Sequence, residues 1–276
     1  MLPIRDINPT RRFAWVTLGL ILANVAVFLL WQPTLKSSGA QQSQAAQQAF
    51  FFCHAEIPYE VTHHTSLAEG GAGAEQAIEH DYGADPEEAA ALQAALAQTC
   101  PNKSWLLSIL VAMFLHGGWL HIAGNMLYLW IFGNNVEDRL GRLRFILFYL
   151  IGGLAAAGLE LAVSPSSAIP SLGASGAIAA ILGSYLVMFP RARVVTLLFF
   201  VLPVELPAII VLGGWFVLQL FSGVGQLGTH VNGSGVAYWA HIGGFAFGYL
   251  ATRLLGLRPP RAAPPPPPPP PAGWSH

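Results

Sequence analysis

The chain has 276 residues, of which 54% are hydrophobic and only 10% are charged, and its formal net charge is −1. The charged residues lie almost wholly outside long apolar runs, which is typical of a polytopic membrane protein and argues against a soluble globular domain. We therefore expect the lipid bilayer to surround much of the chain, and we expect no nucleic-acid partner.

Six apolar runs are candidates for membrane-spanning helices. A helix needs about 17 to 25 residues to cross a bilayer, so the fourth and fifth runs are short unless neighbouring helices shield them or the bilayer is locally thin. The stretch 105–115 is shorter still, and the glycines at 117 and 118 favour an interfacial or re-entrant segment there. The six predicted spans are residues 13–31, 119–136, 143–163, 174–189, 206–221 and 237–256.

The positions of the basic residues support this count, because loops on the cytoplasmic side collect Lys and Arg. With six spans, every arginine falls on one side of the membrane and only Lys36 and Lys103 fall on the other. Both termini are then cytoplasmic, with residues 1–12 as the N-terminal segment. The first span lacks a small-residue cleavage site, so we expect a retained anchor. Since no organellar targeting segment precedes it, we expect the bacterial inner membrane.

Residues 32–104 form a long loop that this topology places outside the cytoplasm, and Pro86 to Gln98 within it has the composition of a short helix. The only two cysteines, Cys53 and Cys100, both lie in this loop. An oxidising outer compartment would permit a disulfide between them, and two unpaired thiols are the alternative. The loop histidines lack the spacing of a ligand motif, so we predict no metal site and no cofactor.

Two further segments lie outside the predicted spans. Residues 222–236 are rich in glycine and carry no charge, a composition that permits a movable cover near the outer surface. Residues 257–276 are expected to be a disordered cytoplasmic tail, and their run of prolines from Pro264 to Pro271 favours polyproline II. The tail is interpreted as a spacer, with a ligand for a proline-binding module as the alternative.

Four polar residues inside the predicted spans are functional candidates, because unpaired polar groups in a membrane cost free energy. His121 and Asn125 are four residues apart and share one face of the second span. Ser175 lies at the start of the fourth span, where the free amides and the helix dipole favour negative charge. His241 lies one turn into the sixth span. Each of these three helices enters from the outer side, so all four residues are expected in the outer half of the membrane.

Each of these residues also has a structural interpretation. A serine at a helix start can cap the helix, and the other three can join helices by hydrogen bonds. Gly244 and Gly248 form a GxxxG pattern that lets another helix approach closely. If that helix carried Ser175, the serine hydroxyl would meet the imidazole of His241. A general base requires the neutral form of the imidazole.

Four motifs, in this order and on these spans, resemble those of the rhomboid intramembrane serine proteases. The motifs are HGGWLHIAGN at 116–125, EDRLG at 137–141, GASG at 173–176 and AHIGGFAFG at 240–248. The resemblance implies an all-α fold, a polytopic six-transmembrane-helix bundle, with residues 105–256 as the catalytic core. It also implies that the fifth span and residues 222–236 form a gate and cap, and that the substrates are single-span membrane proteins.

The resemblance further implies a role for each site residue. Ser175 would be the nucleophile and His241 its general base, a dyad without the usual aspartate. His121 and Asn125 would donate hydrogen bonds to the oxyanion beside the amide of Ser175. The residues to which it assigns a structural role near the site are His116, Gly173, Gly176, Gly244 and Gly248.

The sequence departs from some rhomboids at Ala179, where they place a tyrosine that packs on the catalytic histidine. His241 must therefore be oriented by another group. Two other function classes remain as alternatives. A catalytically dead relative that binds membrane clients would be marked by loss of Ser175 or His241, and neither is lost. A transporter or channel is disfavoured, since the spans show no repeated halves and few buried charges.

Overall fold

The computed structural model of the chain is mostly helical. It describes residues 2–33, 40–199, 201–226 and 236–257. The proline run and residues 227–235 of the glycine-rich segment lie outside the described residues. In chain order the helices are α1 (Trp15–Ala26), α2 (Ala40–His54), α3 (Pro58–His63), α4 (Gly71–Tyr82), α5 (Pro86–Thr99), α6 (Trp105–Ala112), α7 (Trp119–Tyr128), α8 (Asn134–Leu140), α9 (Arg142–Val163), α10 (Ser175–Met188), α11 (Ala208–Gln226) and α12 (Tyr238–Leu254).

Helices cover all six predicted spans, but helix length does not establish that all six cross a membrane. Among the described residues, two helices are long and apolar enough to cross on their own, the 22 residues of α9 and the 18 residues Ala208–Gly225 of α11. Shorter apolar helices cover Trp15–Trp31 and Ser175–Met188. The second predicted span is a longer helical stretch than expected, because a π-helical segment, Leu129–Gly133, joins α7 to α8.

α10 is the central helix, and none of its residues is exposed. Its 14 residues extend only about 21 Å, which is less than the hydrocarbon thickness of a bilayer. Because neighbouring helices enclose it, lipid does not have to match its length. The shortness of the fourth predicted span is explained in this way.

α12 contacts α10 backbone to backbone through glycines. A Cβ at Gly244 would collide with the carbonyl of Gly176, and one at Gly248 would collide with the carbonyl of Ala180. On the other helix, a Cβ at Gly183 would collide with the carbonyl of Phe245. This is the close approach that the GxxxG pattern predicts, and the partner is the helix that carries the candidate serine.

A small antiparallel sheet, which the sequence analysis did not predict, lies beside the helices. Its strands are β1 (Leu2–Asp6), β2 (Arg193–Leu198) and β3 (Leu202–Pro207), in that order across the sheet. β1 pairs with β2 from Leu2 opposite Leu197 to Asp6 opposite Val194. The Asp6 carboxylate accepts hydrogen bonds from Asn135 Nδ2 (2.6 Å) and Tyr185 Oη (2.9 Å), which tie the sheet to α8 and α10. The predicted all-α fold class is therefore incomplete, because the protein also contains this three-stranded sheet.

Residues 40–104, here called the insert, fold into four helices, α2 to α5, rather than a loop with one short helix. The predicted helix at 86–98 is confirmed as α5. Asp85 and Glu88 form a capping box at its start, which satisfies two free amides of the first turn. A disulfide joins Cys53 to Cys100, and the buried side chains of Lys103 and Glu60 form an ion pair.

The insert is hydrogen-bonded to the segment that leads into α10. The amide of Ser171 donates to the carbonyl of Glu56 (2.7 Å), and the amide of Tyr59 donates to the carbonyl of Ser167 (2.9 Å). Asp81 Oδ2 accepts from the hydroxyl of Ser167 and from the following amide, both at 2.7 Å. The insert thus holds a segment that ends four residues before Ser175.

Candidate active site

A cavity of about 800 Å³ lies between α7, α10, α11 and α12. All four polar residues that the sequence analysis selected line this cavity. They come from three different helices, and their separation along the chain reaches 120 residues. The residues are His121, Asn125, Ser175 and His241.

Ser175 and His241 are hydrogen-bonded to each other. Ser175 is the first residue of α10, and His241 lies in the first turn of α12. The distance between Ser175 Oγ and His241 Nε2 is 2.7 Å. At this distance the hydroxyl can donate its proton directly to an imidazole nitrogen. The segment before α10 turns at Gly173, whose φ of +125° is rarely adopted by residues with a side chain.

The other imidazole nitrogen is bonded to α11. His241 Nδ1 lies 2.9 Å from Gln219 Oε1, and the ring of Trp215 lies 5.8 Å from the imidazole, centroid to centroid. An amide oxygen only accepts hydrogen bonds, so Nδ1 carries the proton and Nε2 presents a lone pair to the Ser175 hydroxyl. This is the tautomer that can accept a proton from serine.

His121 is oriented as a hydrogen-bond donor toward the same point. Its Nδ1 accepts from the amide of Gly117 (3.2 Å), so its Nε2 carries the ring proton. A Cβ built on Gly173 would lie 3.0 Å from His121 Nε2 and 3.6 Å from Ser175 Oγ, so both groups border one space. Asn125 uses one amide hydrogen on the carbonyl of His121 (3.1 Å), and its side chain also lines the cavity.

His116 lies behind His121, on the side away from the cavity, and is fully buried. Gln32 holds its backbone with two hydrogen bonds, one from the His116 amide (3.0 Å) and one to the His116 carbonyl (2.9 Å). The ring contacts the His121 ring edge to face, with centroids 5.2 Å apart. His116 therefore supports the cavity indirectly, because its ring packs against that of His121.

A family model described as "Rhomboid domain" matches residues 103–258, which is more than half of the chain. The chain belongs to the rhomboid family. Rhomboids are multi-pass membrane proteins and are generally intramembrane serine proteases, although some members are catalytically inactive. Membership thus relates the chain to hydrolases that carry out intramembrane proteolysis.

Three curated rhomboids are similar to this chain over slightly more than half of its length. Rhomboid protein 1, mitochondrial, of Saccharomyces cerevisiae is 32% identical over 52% of this chain and 40% of its own length. Rhomboid protease GluP of Bacillus subtilis is 34% identical over 54% of this chain and 26% of its own length. RHOMBOID-like protein 4 of Arabidopsis thaliana is 33% identical over 57% and 36%, respectively. The chain thus spans less than half the length of each, and these relatives include both mitochondrial and bacterial proteins.

Sequence reasoning about this rhomboid missed two residues at the site. Gln219 is a polar residue within the apolar run of the predicted fifth span, 206–221, and that property could have marked it as a candidate. Glu160, at the end of α9, was given no role, yet its Oε2 accepts a hydrogen bond from the amide of Ala240 (3.0 Å). That carboxylate caps the start of α12 next to His241, where the helix dipole favours negative charge.

Proposed function

We propose that this rhomboid is a serine endopeptidase that uses a Ser-His dyad to hydrolyse peptide bonds in or near transmembrane segments of membrane proteins. The observation that carries the proposal is the 2.7 Å contact between Ser175 Oγ and His241 Nε2 on the wall of a cavity. A hydroxyl becomes an effective nucleophile when an adjacent base can remove its proton as it attacks. Ser175 is then the nucleophile and His241 the general base.

Each proton has a place in this reaction. Ser175 Oγ attacks the scissile carbonyl carbon while its proton moves to His241 Nε2. When the tetrahedral intermediate collapses, the imidazolium gives that proton to the leaving amine, and an ester to Ser175 remains. Water then enters the cavity and attacks the ester carbonyl while His241 removes one of its protons. As the bond to Ser175 Oγ breaks, the imidazolium returns that proton to Oγ, so a carboxylic acid is released and the serine is restored.

The developing oxyanion is stabilised from the side opposite the imidazole. The Nε2–H of His121, the side-chain amide of Asn125 and the backbone amide of Ser175 are the proposed donors. His121 needs no rearrangement for this role, because its Nδ1 is already occupied by the amide of Gly117. Preorganised donors of this kind typically contribute about 100- to 1,000-fold each to the rate.

The proposed membrane arrangement keeps six spans with both termini in the cytoplasm. The sheet agrees with it, since β1 and the β2–β3 hairpin must lie on the same side for their strands to pair. The bacterial inner membrane remains our proposed location. The proposed substrates are single-span proteins whose helix unwinds locally, because a hydrogen-bonded helix hides its scissile carbonyls. α11 is the proposed gate through which they reach the cavity.

A fluorophosphonate activity probe and a single-span substrate in liposomes test the dyad. We expect the wild-type protein to be labelled and to cleave, and we expect Ser175→Ala and His241→Ala to lose at least about 1,000-fold in cleavage rate. Ser184→Ala is the matched control, because Ser184 lies buried on the same helix and contacts Thr252 instead of the cavity. Equal labelling of wild type and Ser175→Ala would eliminate Ser175 as the nucleophile, and a folded wild type that neither labels nor cleaves would indicate an inactive rhomboid.

The oxyanion donors are tested separately. His121→Ala and Asn125→Ala are expected to lower kcat by about 100- to 1,000-fold each, with little change in the thermal unfolding midpoint. Ala123→Val, at an exposed position of the same helix that does not line the cavity, is the control. Full activity of either donor variant in detergent would remove that residue from the proposed oxyanion site.

A further inference from the structure

His241 has two ring nitrogens, and the proposed dyad uses only one of them. The second, Nδ1, is bonded to Gln219 Oε1 at 2.9 Å. We propose that Gln219 is a positioning residue, whose side-chain oxygen holds the His241 imidazole in the orientation and tautomer that accept the proton of Ser175. The proposal rests on the serine protease function stated above and adds a third member to the dyad.

The chemistry of the contact defines this role. If Nδ1 were unprotonated, Nε2 would carry the hydrogen and would face the Ser175 hydroxyl as a donor, so it could not act as a base. An acceptor at Nδ1 prevents this. When Nε2 takes the serine proton, both nitrogens carry hydrogens, and the bond from Nδ1 to the amide oxygen becomes charge-assisted and stronger. Gln219 therefore also stabilises the cation that forms during attack.

Gln219 on α11 explains how His241 can be oriented although residue 179 is alanine and not the tyrosine found in some rhomboids. Trp215 and Gln219 are four residues apart, so they lie on one face of α11 and approach the imidazole together. The tryptophan supplies an aromatic surface beside the ring, and the glutamine supplies the acceptor. α11 thus provides the orienting contacts that a tyrosine on α10 would have provided.

An amide suits this position better than a carboxylate would. A carboxylate in a poorly hydrated cavity would have to be desolvated, which costs free energy while the imidazole is neutral. An amide whose oxygen faces Nδ1, as that of Gln219 does, favours the same tautomer without a permanent charge. The imidazole then becomes positively charged only during the reaction, and the amide oxygen stabilises that charge when it forms.

Few other titratable or charged groups face the imidazole from the helices packed against it. His121 approaches from α7, and the ring of Tyr238 lies 6.5 Å away on α12 itself, centroid to centroid. Glu160 of α9 is bonded to the backbone one residue before His241. Among the described residues of α11, those next to the imidazole are uncharged, so a charge introduced at Gln219 would be a new influence on the pH dependence of the reaction.

Two substitutions test the proposal in the full chain. Gln219→Leu keeps the approximate size and removes the acceptor, and we expect kcat to fall by at least about tenfold while KM stays within about twofold. The rate of fluorophosphonate labelling should fall in parallel. Gln219→Glu restores an acceptor and adds a negative charge, which favours the protonated imidazole, so the acidic limb of the pH–rate profile should move to higher pH. Leu147→Ala, at an exposed leucine of α9 away from the proposed gate, is the control and should match wild type.

The outcomes separate this proposal from the proposed function. If Ser175→Ala is inert while Gln219→Leu and Gln219→Glu keep the wild-type kcat and pH profile, the dyad stands and the role of Gln219 is wrong. That role is also wrong if Gln219→Leu loses activity only in proportion to lost folded protein and the acidic limb of Gln219→Glu does not move. If Ser175→Ala reacts like wild type, the proposed function itself fails. A lower kcat at an unchanged unfolding midpoint, with the shifted acidic limb, supports Gln219 as the positioning residue.

Discussion

The helices around α10 and the four helices of the insert are held together by different residues. Around α10, glycines let backbones touch, and large side chains such as Tyr149 and Tyr185 fill the remaining space. The insert has a smaller hydrophobic cluster, and it adds a disulfide and a buried ion pair. Small domains bury too little apolar surface to be stable without such additions. The stability of the α10 core should therefore be independent of redox conditions, whereas that of the insert should depend on them.

The largest effect is expected where helices touch backbone to backbone. Gly248→Leu would drive a side chain into the carbonyl of Ala180, so the free energy of unfolding should fall by about 4 kcal/mol or more, and most of the protein should fail to fold. Gly158→Leu is the matched control, because it adds the same side chain at an exposed position of α9 with open space around it. Yield and thermal unfolding in detergent are the measurements. Wild-type stability of Gly248→Leu would contradict the tight packing of α12 on α10.

That prediction concerns the part of the molecule in which the sequence was most informative. The spans and the meeting of Ser175 with His241 could be expected, because apolar runs and the GxxxG spacing are local signals with a direct physical meaning. Gln219 could be noticed as a polar residue in an apolar helix, but its partner depends on how α11 is rotated, which no local pattern encodes. In the sheet, which was not predicted, β1 pairs with residues almost 200 positions away, whereas β2 and β3 form a local hairpin.

The insert was harder to predict for a related reason. Its longer helices α2, α4 and α5 are rich in alanine and polar residues, so their apolar periodicity is weak, and only α5 has a clear capping signal. The ion pair between Lys103 and Glu60 joins residues 43 positions apart, and the disulfide was one of two alternatives. In the insert, the pairs that stabilise the fold join residues far apart in the sequence. Around α10, the local spacing of the glycines already indicates where two helices touch.

The second largest effect is expected from the disulfide of the insert. The loop between Cys53 and Cys100 spans 47 positions, and closing a loop of that length stabilises a domain by about 4 kcal/mol in the chain-entropy model. Cys53→Ser with Cys100→Ser should therefore destabilise the insert. Hydrogen exchange should become faster in peptides from residues 40–104 and stay unchanged in α10 and α12. Equal acceleration in both regions would contradict the separation of insert from core.

A pH-dependent effect is expected from Glu56, at the junction between the insert and the segment that leads into α10. Burial, together with the nearby charge of Glu160, raises the pKa of the Glu56 carboxyl to about 8, although Lys103 opposes the shift. Its ordinary value is 4.5, so the folded protein binds a proton more readily than the unfolded chain does. The stabilisation from this group is fully present below about pH 4.5 and is lost as the pH rises through about 8.

Glu56→Gln should remove this contribution, because glutamine keeps the shape of the protonated acid and does not ionise. The wild-type unfolding midpoint of the insert should fall between pH 5 and pH 8 by more than that of Glu56→Gln, and the two should converge at the acidic end. Glu69→Gln is the control, since Glu69 is exposed and its substitution should leave the wild-type slope unchanged. If wild type and Glu56→Gln have the same pH slope, Glu56 ionises freely in the folded protein. The junction would then be hydrated, and Glu56 would contribute to holding the segment before Ser175 only through its backbone carbonyl.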